Sequence, residues 1–436
     1  QLMGASGAGT SDYEIEQSLR LNIDTPKWIK RTPSSDSNRK TWTLSMWHKR
    51  GAVGRNLTEI LFKGGGSGGS GIIAMHLTNS SYAAEDKIWL SFDGATGANP
   101  VTNRVFRDPS GWMHIVLRFD TTQSTVTDRA RLYINGELII STDYTFLWST
   151  SWAGITQNSD WNVNKSGIEH SFGAHQTNQP LDGYLADIAF VDGQSLGPDS
   201  FGETGDYGEW KPIDVSGLTF GTNGYHLDFA DSSALGNDAN GSNNFTTVGI
   251  AATDQMLDSP TNNFCTLNPL DKTSVMALSE GNLKSVSSGN GKLCGTMLIP
   301  SSGKWLFEYL VTAGGGADVG LAKADILLTS RTQEGANVID TRDNNTSVFV
   351  EGTAHASEWA STYGINVVVQ MQVDMDAGTI LYKTGTDSTS AISFTSAEDW
   401  VVWTENNSDT VVFNFGQDSS FAGNKTPQGN QDANDI

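Results

Sequence analysis

Apolar and polar residues alternate with a period of two through most of the chain. In residues 112–120, Met113, Ile115, Leu117 and Phe119 fall on one face and His114, Val116 and Arg118 on the other, the signature of a half-buried strand. Residues 131–140 place Asn135-Gly136 between two β-rich runs. A two-residue turn of that composition predicts a hairpin, because both of its residues must take positive φ. Residues 181–191 alternate again. Earlier strands are predicted at 18–22, at 42–47 (Trp42, Leu44 and Met46 opposed to Thr43, Ser45 and Trp47), and at 58–63, 72–77 and 87–92. Beyond residue 270 the same period returns. Trp305, Phe307 and Tyr309 share a face, and strands follow at 319–322, within 366–383 and at 411–416. Helical periodicity of useful length is scarce, so the pattern predicts an all-β chain. At 436 residues it predicts more than one domain.

Composition shifts suggest the divisions. Residues 1–15 read as a flexible Gly/Ala/Ser arm that orders on docking; they lack the basic and apolar regions of a signal peptide. A first sandwich is expected over 16–215 and a connecting segment over 216–278, with the turn-rich stretch 254–270 as hinge. A second sandwich is expected over 279–422, then a polar tail over 423–436. The expected fold class is therefore two antiparallel β-sandwiches joined by a turn-rich linker.

The motifs carry resemblances. W-M-H-I-V-L, L-Y-I-N-G and G-Y-L-A-D-I-A-F, in this order and spacing, resemble the laminin-G-like, concanavalin-A-like jelly roll. Lectins, pentraxins, glycosidases and adhesive modules share that fold, so it does not decide function. W-L-F-E, V-G-L-A, V-D-M-D-A-G-T-I-L-Y and F-N-F-G, again in order, resemble the SPRY/B30.2 β-sandwich. That second resemblance implies a partner-binding module and not a catalyst.

Charge and cysteine content narrow the classes. A formal net charge of -22 repels nucleic acid and anionic membranes. It suits a protein working in salty surroundings, where screening blunts self-repulsion; solubility alone also accounts for it. No apolar run is long enough to span a bilayer. Cys265 and Cys294 are too few for a disulfide framework and read as buried free thiols, with pairing as the alternative. Basic residues gather in 27–50 against the overall balance, as a solvated loop or as a contact to an acidic neighbouring chain.

Candidate chemistry is sparse. Residues 64–71 satisfy both G-x-G-x-x-G and G-x-S-x-G, but they join two strands and lack the helix that either motif needs. Residues 143–165 form a long loop carrying Tyr144, Trp148, Trp152 and Trp161 among Asn, Ser and Asp. Loops of that length are usually functional or disordered. Such rings suit sugar C–H faces or protein interfaces, or the loop folds over its own sandwich. Asp228, Asp231 and Asp238, in a run similar to the Asp/Asn/Gly opening of many laminin-G-like modules, offer hard oxygen ligands for calcium. Asx-turn chemistry explains them equally well, as it does Asp374 and Asp376. Glu169, His170 and His175 make a weak cluster expected on exposed strand ends. No run of paired carboxylates suits glycoside hydrolysis and no histidine spacing suits zinc, so an enzyme is not expected.

Read end to end, R-T-P-S-S, V-F-R-D-P-S, L-D-G-Y-L-A-D-I, G-T-N-G-Y and D-S-P-T-N-N-F-C-T-L-N-P-L resemble a group of jelly-roll-plus-SPRY-like proteins of marine tailed phages. The resemblance implies a non-enzymatic virion-surface component (tail fibre, head fibre or decoration protein), made in the host cytoplasm. It implies a homo-oligomer that meets host-surface glycan or neighbouring virion proteins. A free carbohydrate-binding lectin and a degenerate jelly-roll glycosidase are the alternatives.

Overall fold

The computed structural model describes residues 13–427 apart from 55–56, 66–70, 80–84, 93–97, 148–150, 316, 333–334, 343–346, 356–363 and 386. The arm at 1–12 and most of the Gly/Ser run at 66–70 thus lie outside the described residues. The described chain divides into two compact units, 13–262 and 263–427. Both are antiparallel β throughout, as the alternation predicts. No helix among the described residues is long and apolar enough to cross a membrane.

In the first unit, Thr41–Arg50 lies between Trp112–Asp120 and Gly183–Asp192. Ala130–Ile134 flanks this trio on one side and Ser18–Leu21 on the other. A second sheet runs through Ile88–Phe92, Ile73–Leu77, Glu59–Gly64, His170–Phe172 and Trp28–Arg31. Trp42, Leu44, Met46, Ile115, Leu117 and Phe119 face Phe62, Met75, Leu90 and Phe172 across one core. The predicted face assignment of these strands therefore holds.

The half-burial predicted for residues 112–120 does not hold, since His114 and Val116 on the outer face of the first sheet are buried. Thr41–Arg50 is buried from Trp42 to Arg50, and Gly183–Asp192 is buried along its whole length. Its outer face is covered as well. Phe201, Val215 and Phe220 pack on Val116, Ala189 and Val191, while Tyr13, Ile15 and Trp210 close over Trp47 and Ala186. Polar residues on this face survive burial because covering segments supply partners, as buried polar groups require. Lys49 pairs with Asp258 at 2.7 Å, and Arg20 and Lys27 meet Asp254 at 3.4 and 2.6 Å.

The same pairs correct the expected connecting segment at 216–278. Tyr225–Leu227 adds to Gly183–Asp192, Thr246–Val248 to Trp28–Arg31 and Gln255–Met256 to Ser18–Leu21. The first sandwich thus extends past 215 to 262. Leu267–Lys272 and Met276–Ser279 already belong to the second unit's sheets. Asx turns gave the segment its linker-like composition, and buried ion pairs hold it in place. The basic run at 27–50 is explained likewise. Arg31 donates to Asn223, Arg39 to the Trp161 carbonyl and Arg50 to Asp86. Much of that basic run therefore ties distant segments of the fold, and it is not the solvated loop that was one of the two readings.

The Asn135-Gly136 turn forms with φ of 48° and 79°. A Cβ on Gly136 would stand 2.5 Å from the Trp210 ring, so the glycine serves both the turn and the covering layer. Gly136→Ala is expected to destabilise the first unit by about 1–3 kcal/mol and to release Trp210. Denaturant unfolding followed by tryptophan fluorescence checks both.

In the second unit, Lys304–Ala313 pairs with Val368–Asp374 and Thr410–Asn414. The facing sheet centres on Trp400–Asn407 between Asn290–Leu298 and Asp318–Lys323. Asp374 accepts from the Ala377 N–H at 2.8 Å and acts as a turn-maker, whereas Asp376 accepts from the Gly303 N–H at 3.0 Å and ties its turn to a distant loop. Cys265 and Cys294 are buried free thiols. The Cys294 Sγ accepts from the Arg331 guanidinium at 2.7 Å.

Candidate functional site

Three of the four rings expected to form a binding platform lie in the first unit's core. Tyr144, Trp152 and Trp161 are 9, 6 and 3% exposed. Trp152 meets Tyr144 and Phe146 edge-on, at 5.2 and 5.6 Å between centroids. Trp161 stands edge-on to Phe92 and Phe119. Buried rings offer no face to a ligand, so the loop packs on its own sandwich at these positions. Trp148 lies outside the described residues. Trp152→Ala is expected to cost about 3 kcal/mol of stability by leaving a cavity; thermal unfolding of the variant measures it.

The three aspartates do not converge as a calcium site. Asp228 accepts from the Ala230 N–H, and Asp231 from the Ser233 N–H and hydroxyl. Asp238 accepts from the N–H groups of His226, Asn240 and Asn243. Among the described residues no group of three or more His, Cys, Asp or Glu side chains is placed to hold a metal ion. The carboxylates shape turns, which is the Asx reading.

Two buried histidine pairs invite a catalytic reading, and their geometry argues against it. Ser45 Oγ stands 2.8 Å from His114 Nε2, while the Trp210 indole N–H donates to His114 Nδ1 at 2.9 Å. An indole only donates, so Nδ1 is the acceptor and Nε2 carries the proton. That tautomer donates to Ser45 and cannot deprotonate it, the reverse of a nucleophile–base pair. The second pair, His226 Nε2 and Asp187 Oδ1 at 2.6 Å, sits where a bulge puts Asp187 at φ 47°. Burial opposes the imidazolium of His226, but the hydrogen bond and charge of Asp187 outweigh it and raise its pKa. The hydroxyl placed at this dyad is Tyr13, which donates to Asp187 at 3.5 Å. The dyad thereby clamps the Tyr13 segment onto the sheet.

A different face carries uncommitted polar groups. On the second sheet, Phe62, Met75 and Phe172 point inward, so their neighbours Lys63, Ala74 and Ser171 point outward. Register sets Ala74, Lys63, Ser171 and Lys30 side by side across four strands. His76 lies two residues beyond Ala74 on the same face and stacks on Trp89 at 4.4 Å. Glu169 precedes Ser171 by two residues and meets Lys30 at 3.4 Å.

Several of these groups lack partners among the described residues. Glu169 Oε1, Ser171 Oγ and His76 Nδ1 are buried without a hydrogen bond, although Ser171 is 1% and His76 6% exposed. Lys63 is half-buried, and its desolvation lowers its pKa against the opposing pull of Glu169. Burial, Lys63 and Lys30 likewise hold His175 in its neutral form, against Glu169.

The weak Glu169/His170/His175 cluster thus separates. Glu169 and His175 share this face, whereas His170, expected to be exposed, is buried edge-on to Phe62 and accepts from the Asn164 N–H. Strand alternation signals that Lys63, His76 and Ser171 face outward. Only the strand order brings them together.

Residues 28–196 match the family described as the concanavalin A-like lectin/glucanases superfamily. No curated protein matches the chain. The SPRY domain of human HERC1 is 14% identical at a TM-score of 0.30, over 34% of this chain and 98% of that one. A structure titled "a putative carbohydrate binding protein" from Bacteroides ovatus is 14% identical at a TM-score of 0.36, over 55% of this chain and 60% of that one.

Proposed function

We propose that this chain is a non-catalytic adhesion protein that takes a host-surface glycan on the outer face of the first unit's second sheet. Its place is the exterior of a phage particle, as a tail fibre, head fibre or decoration protein. The carrying observation is that the partly exposed side chains of Lys63, Lys30 and Glu169 stand together on one face. The Ser45–His114 pair, by contrast, is locked in a tautomer unsuited to nucleophile activation. The end-to-end resemblance to marine tailed-phage proteins supports the virion setting. A glycan array probed with the full chain tests the binding reading. Retention of a glycan, lost on Lys63→Gln, is expected; silence across the array overturns it. Mass spectrometry of purified particles tests the setting, and absence of the chain from them overturns that part.

Contact with neighbouring virion proteins, or with further copies of the chain, is the role we give the second unit. It carries a small apolar cleft, about 20 Å³, lined by Met297, Ile299, Trp305, Phe307, Val402 and Phe415. Leu298 and Leu306 are each 48% exposed, and exposed apolar patches mark contact surfaces.

A further inference from the structure

Lys49 and Asp258 meet where the last segment of the first unit closes over its first sheet. Register sets Lys49 between Trp112 and Tyr184 on the neighbouring strands. Its Nζ donates to Asp258 Oδ2 at 2.7 Å, and both side chains are 0% exposed. The Tyr184 ring lies 6.0 Å from Nζ, and the Trp112 indole N–H donates to the other carboxylate oxygen, Oδ1, at 2.9 Å. A nitrogen nucleophile, a carboxyl group and a donor to that carboxyl are thus held together out of water. We infer that this pair is the site of a self-formed modification, an isopeptide bond between Lys49 Nζ and Asp258 Cγ. The inference does not depend on the glycan reading.

The reaction balances with the atoms already in place. One proton passing from Nζ to Oδ2 along their 2.7 Å contact turns the ion pair into an amine and an acid, and so removes two buried charges. The Nζ lone pair then attacks Cγ, and negative charge gathers on Oδ1, where the indole N–H stands within the range of a stabilising donor. A second proton passes from Nζ to Oδ2, the Cγ–Oδ2 bond breaks and Oδ2 leaves as water. The charge on Oδ1 returns to restore the carbonyl, now an amide. Holding the nitrogen beside the carboxyl supplies an effective concentration of about 10⁵ M or more, which offsets the preference of free acids and amines to stay apart in water. The neighbouring pair lacks these conditions. Lys27 stands 2.6 Å from Asp254, but it is partly exposed, and the Arg20 guanidinium holds the same carboxylate oxygen in its charged form. The Lys49–Asp258 bond joins positions 209 apart, so it closes most of the first unit into one covalent loop and restricts the unfolded chain. Until it forms, the two groups act as a buried ion pair.

Mass spectrometry of the intact full chain, denatured before injection, tests the inference. Chain kept folded for several days is expected to be lighter than its sequence by one water. Its digest is expected to contain the peptide of Lys49 joined to the peptide of Asp258. Lys49→Arg and Asp258→Ala are each expected to keep the full mass, as is wild-type chain held unfolded in urea. Trp112→Phe keeps a ring and removes the N–H, and is expected to slow bond formation about a hundredfold; thermal unfolding confirms that this variant folds. The wild-type chain decides the question whether or not the variants fold. Full mass after several days in the folded state overturns the inference. So does loss of one water without a joined peptide, which an aspartate cyclised on its own backbone gives. An unchanged rate in Trp112→Phe overturns the part given to the indole.

Discussion

The first unit is expected to lose stability steeply as pH falls below about 6.5, before its carboxylates titrate. His48, His76, His114 and His170 are each held neutral with a pKa of about 3, chiefly by burial. Arg50, Lys63 and Arg31 add repulsion at His48, His76 and His170 respectively. In the unfolded chain these rings titrate near 6.5. A folded pKa below the unfolded one means that the stabilisation is complete above about 6.5 and is lost as pH falls toward about 3. Across that window the unfolded chain binds up to about four more protons than the folded one, so stability rises with pH. Between pH 6.5 and 5 most carboxylates stay ionised, and the slope there belongs to the histidines. His226 has the opposite sign, since its raised pKa gives stabilisation that is present at low pH and lost as pH rises through the folded value. Denaturant midpoints taken from pH 8 to 5 measure the slope; a flat profile from 6.5 to 5 contradicts the burial of these rings.

Asp258→Ala is expected to destabilise the first unit by about 3–5 kcal/mol, because it removes the carboxylate that stands against the Lys49 ammonium in a fully buried position. Both side chains are 0% exposed, with Lys49 Nζ 2.7 Å from Asp258 Oδ2. The second carboxylate oxygen accepts from the Trp112 indole at 2.9 Å, so that donor is orphaned too. The lost pair anchors the segment that closes over Ser18–Leu21, so this edge should open first. Hydrogen exchange at residues 18–21 and 255–256 follows the opening, and urea unfolding gives the magnitude. The double variant Lys49→Met with Asp258→Leu is expected to recover much of the loss, since apolar replacement of a buried pair is often near neutral. A cost under 1 kcal/mol for Asp258→Ala would mean that water reaches Lys49.

The strands and their facing were legible because alternation is a local property. Trp42, Leu44 and Met46, and Ile115, Leu117 and Phe119, point into the core as their spacing requires. The Asn135-Gly136 hairpin was legible for a similar reason, since its backbone conformation belongs to two residues. The aromatic loop was left open between sugar face, protein face and self-packing because composition says that rings are present, not which way they face; Trp152 and Trp161 turn inward. The extent of the first sandwich was misread because Asp254 and Asp258 look like turn residues until their cations, Arg20 and Lys49, are seen beside them.

The amino-acid order alone determined an all-β chain of two sandwiches and its hairpin, because alternation and turn chemistry depend on residues a few positions apart. Only the tertiary structure decided that the outer face of the first sheet is covered, which histidines are buried, and that Lys63, Ser171 and Lys30 stand in one row. Those facts depend on strand order, and strand order joins residues more than a hundred positions apart by the sum of many weak contacts, none of which is written in any one stretch of the chain.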